Sequence, residues 1–119
     1  MAITLALYSG DNVTLTDTET SLMVDGGSTT LQTITTAGFY GLKLDMVATL
    51  AKVDEFTIRF YEKARSTGTK RVFDTLKLRH GMSSILIVPP ILLGVGSDIT
   101  AQRTAGSNRA AYWTVYQVS

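Results

Sequence analysis

Short segments in which apolar and polar residues alternate, separated by turn residues, recur along the whole of this sequence. A period of two places successive side chains on opposite faces of a β-strand. Thr, Val and Ile are used heavily, and their β-branched side chains suit a pleated surface. No segment has a convincing helical period longer than a turn or two. The pattern therefore predicts an all-β fold, a two-sheet antiparallel β-sandwich that is jelly-roll-like.

The last segment, residues 98–118, has two alternating stretches around the small residues Ala105-Gly106-Ser107-Asn108. This pattern predicts a closing β-hairpin. In its second strand we expect Trp113 and Val115 to face the core, which leaves Tyr112 and Tyr116 on the outside. Outward tyrosines suit a protein interface or the stacking of a sugar, and an ordinary sheet surface explains them equally well.

Three further stretches predict strands with a defined inner face. In 39–46 the inner residues are Leu42, Leu44 and Met46, and in 55–62 they are Phe56, Ile58 and Phe60. Residues 70–80, with Leu76 and Leu78 inward, are expected to form a hairpin with 55–62. A strand over 83–88 is predicted to stop at Pro89-Pro90, because proline cannot donate to a ladder, and 91–94 would begin another strand.

The Thr-rich stretch 12–22 is predicted to be one strand whose outer face carries Thr14, Thr16, Thr18 and Thr20. That face is either solvated or an interface. The stretch 29–36 is expected to be a polar strand or an extended loop.

Composition limits the domain organisation and the function. The chain has 119 residues and 45% hydrophobic residues, which predicts a single domain over 1–119 with a substantial core. Residues 1–10 are expected to form an N-terminal arm or an edge strand. The mean hydropathy of +0.16 is high for a soluble domain of this size, so either the core is unusually full or a partner covers apolar surface.

Charge and reactive residues argue against several functions. The net charge of +1 gives no electrostatic footprint for nucleic acid, and no apolar run is long enough to predict a membrane span. There is no cysteine, and His80 is the single histidine. Asp17 and Glu19 are expected on one strand face, whereas glycosidases place two carboxylates on opposite sides of a sugar. We therefore predict no catalytic, cofactor-binding or metal-binding residues and no enzymatic activity.

One cluster of charge stands out, the basic stretch that contains Lys63, Arg65, Lys70 and Arg71. It is predicted to be a loop between the strands of the 55–80 hairpin. The loop is either a solvated turn or a contact for an acidic protein surface, and the lack of interleaved aromatic residues argues against nucleic acid.

Several motifs resemble small proteins encoded among the virion genes of tailed bacteriophages. They are Phe60-Tyr61-Glu62-Lys63-Ala64, Thr69-Lys70-Arg71-Val72 and above all the 98–115 segment with its Thr104-Ala-Gly-Ser-Asn-Arg109 turn. Lys70 stands where such relatives have Gln, and Pro90-Ile-Leu-Leu-Gly94 is one residue shorter than their Pro-x-Leu-Leu-x-Gly element. The order of motifs matches from about residue 38 to the end.

The resemblance implies a capsid decoration or cement protein, made in the host cytoplasm and placed on the exterior of the virion. It implies a homotrimer that bridges subunits of the major capsid protein. The alternative is a tail or fibre jelly-roll module that binds a host surface glycan. Candidate interface residues are Thr14, Thr16, Thr18, Thr20, Arg65, Lys70, Arg71, Tyr112 and Tyr116.

Overall fold

Eight β-strands make up the regular structure of the described part of the chain. The computed structural model describes residues 4–30, 32, 34–46, 50–63, 69–80 and 85–118, and it contains no helix in these ranges. The strands are β1 (Thr4–Leu15), β2 (Thr20–Ser21), β3 (Gly38–Met46), β4 (Glu55–Glu62), β5 (Arg71–Arg79), β6 (Ile85–Leu93), β7 (Asp98–Ala105) and β8 (Arg109–Val118).

The strands form two antiparallel four-stranded sheets. Sheet A has the order β1-β8-β3-β6, and sheet B has the order β2-β7-β4-β5. The first strand pairs with the last, the second with the seventh, the third with the sixth and the fourth with the fifth. A ribbon of nested antiparallel pairs that is wrapped into two sheets in this way is a jelly roll. The predicted all-β, jelly-roll-like sandwich is confirmed.

The core lies between the inner faces of the two sheets. Its fully buried side chains come from both sheets, and the largest include Phe56, Phe60, Leu42, Leu44 and Val115. The predicted inner residues of β3 and β4 are buried, as are Leu78 of β5 and Trp113 and Val115 of β8. Strand alternation therefore identified which face of each strand packs inward.

The β4–β5 hairpin is confirmed by its register, in which Phe56 lies opposite Leu78 and Ile58 opposite Leu76. The predicted closing hairpin is wrong. Strand β7 pairs with β2 and β4 in sheet B, whereas β8 pairs with β1 and β3 in sheet A. Residues 105–108 thus form a corner that carries the chain from one sheet to the other. Alternation predicts that a strand is half-buried, but it does not say which strand lies beside it.

Hydrogen bonds to side chains hold this corner. Asp54 accepts hydrogen bonds from the backbone N–H of Ser107 at 2.9 Å and of Ala51 at 2.7 Å. Its Oδ2 also accepts from Nε of Arg109 at 2.9 Å, and a second guanidinium nitrogen lies 2.8 Å away. Arg103 donates across the same corner to Asn108 and to the carbonyl of Gly106. The two arginines that flank the turn in the sequence therefore stabilise a sheet-to-sheet crossing.

The prediction that Pro89-Pro90 ends a strand is also wrong, because β6 runs through both prolines to Leu93. Strand β6 is an edge strand of sheet A, so an N–H that is missing on its free side costs no hydrogen bond in the sheet. The pairing of β3 with β6 also shifts register between Tyr40 and Leu42, opposite the prolines. Proline is tolerated in sheets at such edges and bulges.

The Thr-rich stretch does not form one strand. Strand β1 ends at Leu15, the chain bends at residues 17–18, and β2 begins at Thr20 in the other sheet. The four threonines therefore cannot share a single face, which corrects the predicted ladder. Residues 4–10 belong to β1, an edge strand of sheet A. In the described part of 29–36 there is no strand, so the extended-loop alternative applies there.

Candidate interaction surface

Sheet A exposes large apolar side chains on its outer face, which we define as the outward residues of β1, β8, β3 and β6. The exposed fractions are 50% for Phe39, 52% for Ile85, 61% for Ile87, 66% for Leu92 and 41% for Tyr112. A soluble protein rarely leaves a contiguous apolar patch of this kind uncovered unless something binds to it.

Strand register gathers these residues into rows across the sheet. Tyr112 and Ile85 both lie opposite Asp45, on the two sides of β3, and Thr114 and Ile87 both lie opposite Lys43. Leu92 and Val118 lie opposite Phe39 at the far end of the sheet. Neighbours across strands are in side-chain contact distance, so the face is a continuous surface.

Tyr116 forms a flat platform in the middle of this face. A Cβ on Gly41 would overlap its ring, so only glycine at that position of β3 lets the ring lie across the strand. The phenol donates a hydrogen bond of 3.4 Å to the carbonyl of Val88, and Nζ of Lys43 lies 6.0 Å from the ring centroid. Glycine 41 and Tyr116 together flatten the surface.

A shallow depression lies at the other end of the face, beside Tyr112. Among its lining residues are the charged side chains Asp11, Lys43 and Asp45. An exposed aromatic ring beside carboxylates and hydroxyls can stack on a small polar ligand such as a sugar. This depression is the part of the face with hydrogen-bonding potential.

The outer face of sheet B has the opposite character. Arg59 donates to Gln102 at 2.6 Å, and the hydroxyls of Thr57 and Thr104 lie 3.0 Å apart. Glu55 forms ion pairs with Lys77 and Arg79 from β5. These polar groups of sheet B thus bind one another, whereas Val72 and Phe73 of its edge strand β5 are 44% and 52% exposed.

Glu19 joins the same polar network from the bend before β2. It accepts hydrogen bonds from the hydroxyls of Tyr61 and Thr100, and Arg59 lies 3.6 Å away. Partial burial, followed by the hydrogen bond to Glu19 and its charge, raises the pKa of Tyr61 to about 12. The phenol therefore stays protonated and keeps donating to Glu19.

The described residues of the basic stretch differ in burial. Lys70 is half-buried: its Nζ lies 3.7 Å from the buried Asp98, donates to the carbonyl of Gln32 and lies 5.5 Å from the ring of Tyr61. Burial raises the pKa of Asp98, against the opposing effects of Ser21 and Lys70. Arg71 is exposed at the start of β5, and Arg65 lies outside the described residues.

The predicted interface residues fall into two groups. Thr14, Tyr112 and Tyr116 point outward from sheet A, and Thr14 precedes the buried Leu15. Thr16 and Thr18 lie in the bend beside sheet B, and Thr20 is buried in β2. The carbonyl of Thr16 accepts the N–H of Arg103, so this threonine has a structural role.

Sequence reasoning missed four members of the outer face of sheet A: Phe39, Ile85, Ile87 and Leu92. Phe39 shares the parity of the outward Lys43 and Asp45 in β3, which is a signal in the sequence. The strand predicted over 83–88 has no inner or outer face assigned to it, because an unbroken apolar run does not show which side is covered. The high mean hydropathy of the sequence is a second signal that apolar surface is exposed.

Reactive groups do not gather elsewhere in the part of the chain that the structure describes. No group of three or more His, Asp or Glu residues there could hold a metal ion. His80 is exposed, with Nδ1 2.7 Å from the carbonyl of Leu50. None of the described segments is a helix with the length and hydropathy needed to cross a membrane.

Comparison with known proteins adds no family. The chain matches no protein-family model, no curated protein and no solved structure. The resemblance to bacteriophage virion proteins therefore stays a prediction, and function has to be inferred from the surfaces described above.

Proposed function

We propose that this protein is a non-enzymatic structural component of a bacteriophage virion, which decorates the exterior of the capsid and stabilises it by bridging subunits of the major capsid protein. The observation that carries the proposal is the apolar outer face of sheet A, opposite a sheet B whose polar groups bind one another. Decoration requires contact area and shape complementarity, and it requires no reactive group.

The construction of the fold supports this role. A chain without cysteine has no disulfides, so packing and hydrogen bonds alone must keep it folded outside a cell. The jelly roll supplies two sheets around one core, with the Asp54–Arg109 ion pair at a corner between them. A partner that covers the outer face of sheet A would add further stability by binding only the folded state.

Binding to capsid shells tests the proposal. The genome that encodes this chain is inspected for a neighbouring major capsid gene, and expanded shells assembled from that protein are mixed with the purified chain and sedimented. We expect saturable co-sedimentation at a fixed ratio to the capsid subunits. A Thr104→Ala variant, which changes the outer face of sheet B, is the control for that face and should bind the shells as well as the wild type does. Absence of binding at saturating protein would contradict the proposal.

A second candidate function is recognition of a host surface glycan by a tail or fibre module. The exposed Tyr112 beside Asp11 and Asp45 favours it, because an aromatic platform with adjacent polar groups suits a sugar. A glycan array in which the wild-type protein gives saturable signals, and Tyr112→Ala does not, would favour this function over decoration.

A further inference from the structure

We propose that the outer face of sheet A is a self-complementary contact, on which a second copy of this chain packs face to face about a two-fold axis. This inference goes beyond the decoration role, because it concerns the free protein, whose reversible pairing would be exchanged for the capsid contact on the shell. It names a partner for the apolar outer face of sheet A before the protein reaches the shell.

The first support is the uneven distribution of apolar surface. Phe39, Ile85, Ile87 and Leu92 are each at least half exposed, and all four belong to β3 and β6 of sheet A. Interfaces between identical subunits are more apolar than the remaining surface. Sheet A exposes more large apolar side chains than sheet B, in which Val72 and Phe73 of β5 are about half exposed.

The second support is charge. Lys43 and Asp45 point outward from β3 two positions apart, and the ion pairs between described residues involve neither of them. Consider a two-fold axis that lies midway between the sheet A of one copy and the sheet A of the other, perpendicular to the strands, above the midpoint of these two residues. Rotation about this axis makes β3 of the second copy run antiparallel to β3 of the first. Each Lys43 then lies over the partner's Asp45, so that two opposite-charge contacts form at once. A two-fold interface requires this reciprocity.

The same rotation matches the neighbouring strands. Tyr112 and Ile85 share the row of Asp45, and Thr114 and Ile87 share the row of Lys43. Ile85 is therefore brought over the partner's Ile87, and Tyr112 over the partner's Thr114. Aliphatic side chains meet aliphatic side chains, and the tyrosine meets a hydroxyl.

The third support is area. Four strands about 4.8 Å apart, each with about nine residues that rise about 3.3 Å, give a flat footprint of roughly 500 Å² per copy. The pair would bury roughly 1,000 Å² in total, at the lower limit for specific protein interfaces. We therefore expect a reversible dimer whose population rises with concentration.

Charge reversal tests the pairing directly. Light scattering after size exclusion should give twice the 12.9 kDa chain mass for the wild type at high concentration. Lys43→Asp puts two acidic residues on each face, and Asp45→Lys puts two basic residues there, so each single variant should be monomeric. An equimolar mixture of the two variants should restore the dimer mass. The double variant should also pair, because it keeps one residue of each charge.

Apolar substitution gives a second, independent readout. Ile87→Asp places a charge in the proposed contact and should reduce the dimer fraction at least tenfold. Val53→Asp is the matched control, because Val53 is 70% exposed but lies in the turn before β4, outside the face. Circular dichroism of each variant establishes that it is folded before its mass is compared.

Several outcomes would overturn the proposal. The dimer proposal is overturned if the wild type stays monomeric at millimolar concentration. It is also overturned if the wild type has the mass of a trimer, the assembly that the resemblance to bacteriophage proteins implies. A dimer that survives both single charge reversals would place the contact elsewhere. These masses are measured without capsids, so failure of the pairing and failure of the decoration role can be told apart.

Discussion

Gly10 shows how a single missing side chain positions the largest core residue. The Trp113 ring lies against Gly10 of β1, where a Cβ would overlap the ring atoms. The indole Nε1 donates to the carbonyl of Leu22 at 3.2 Å, so the ring cannot shift without breaking that hydrogen bond. One glycine and one tryptophan therefore join β1, β8 and the segment after β2.

We predict that Gly10→Ala lowers the free energy of unfolding by about 1–3 kcal/mol, as overpacking of a core usually does. Urea denaturation followed by Trp113 fluorescence measures this change. Ser9→Ala, at the exposed neighbouring position, should change stability by less than about 0.5 kcal/mol. Equal effects of the two substitutions would show that the close approach of Trp113 is unimportant.

Asp54 is the residue on which the corner between the sheets depends. The backbone N–H groups of Ser107 and Ala51, followed by Arg109, hold the pKa of this buried carboxyl below its ordinary value. A depressed pKa means that the ionised carboxylate stabilises the folded state. That contribution is complete above the unfolded pKa of about 3.9 and is lost as the pH falls through the lower pKa of the folded state.

We predict that Asp54→Asn lowers the melting temperature at neutral pH, because it removes the charge that Arg109 pairs with. The difference in melting temperature between wild type and variant should shrink as the pH falls below about 4, because the carboxyl of the unfolded wild type becomes protonated there, before that of the folded protein. Thermal unfolding followed by circular dichroism across this pH range measures the difference. A gap that stays constant with pH would contradict an electrostatic role for Asp54.

The edge strand β6 contains two adjacent prolines that can hinder pairing with another strand. Pro89 and Pro90 have no N–H to offer, and both are exposed in the middle of an otherwise apolar edge strand. Proteins commonly use proline on an edge strand to prevent another strand from pairing with it. Contrary to the prediction from the sequence, Pro89 and Pro90 do not end the strand but reduce the hydrogen-bond donors that its free edge offers to another strand.

We predict that replacing both prolines with threonine leaves the folded structure largely intact but makes the protein aggregate faster. The substitution restores both N–H groups, and because successive N–H groups of a strand point in opposite directions, one of them would be offered at the free edge of β6. Turbidity and thioflavin fluorescence during warm incubation measure the rate, with circular dichroism at the start to check the fold. Unchanged aggregation would mean that the prolines do not protect this edge.

Strand faces could be predicted from the sequence, but strand neighbours could not. The period of two placed Leu42, Phe56 and Trp113 inward, because alternation follows directly from backbone geometry. It could not show that β7 and β8 belong to different sheets, since that depends on contacts far apart in the chain, such as Asp54 with Arg109. It also could not show that the apolar β6 has an uncovered outer side.

The nested strand order makes the fold depend on contacts between residues that are far apart in the sequence. Thr4 lies opposite Val118, and Phe39 also lies opposite Val118. Pairing of residues far apart in sequence must overcome the entropy of closing long loops, which slows folding. The order that gives the sandwich its two sheets thus also sets its folding rate.

We predict that the protein refolds in milliseconds to seconds, the range typical of β-sandwiches dominated by non-local pairs. Stopped-flow dilution from urea, monitored by Trp113 fluorescence, measures the rate. Leu15 is in β1, the strand that pairs with the Trp113 strand β8. If β1 pairs with β8 only after the transition state for folding, Leu15→Ala should mainly increase the unfolding rate. Refolding within microseconds would contradict the dependence on distant contacts.

The pairing of β1 with β8 has a consequence for biosynthesis. Among the described strands, β8 is the only neighbour of β1 in sheet A, and it is translated after the other seven. On the ribosome, the innermost pair β4–β5 can form while β1, made first, waits for its partner. A nascent chain that stalls before β8 leaves both β1 and β3 without their shared neighbour, so quality-control proteases would meet an open sheet until β8 emerges.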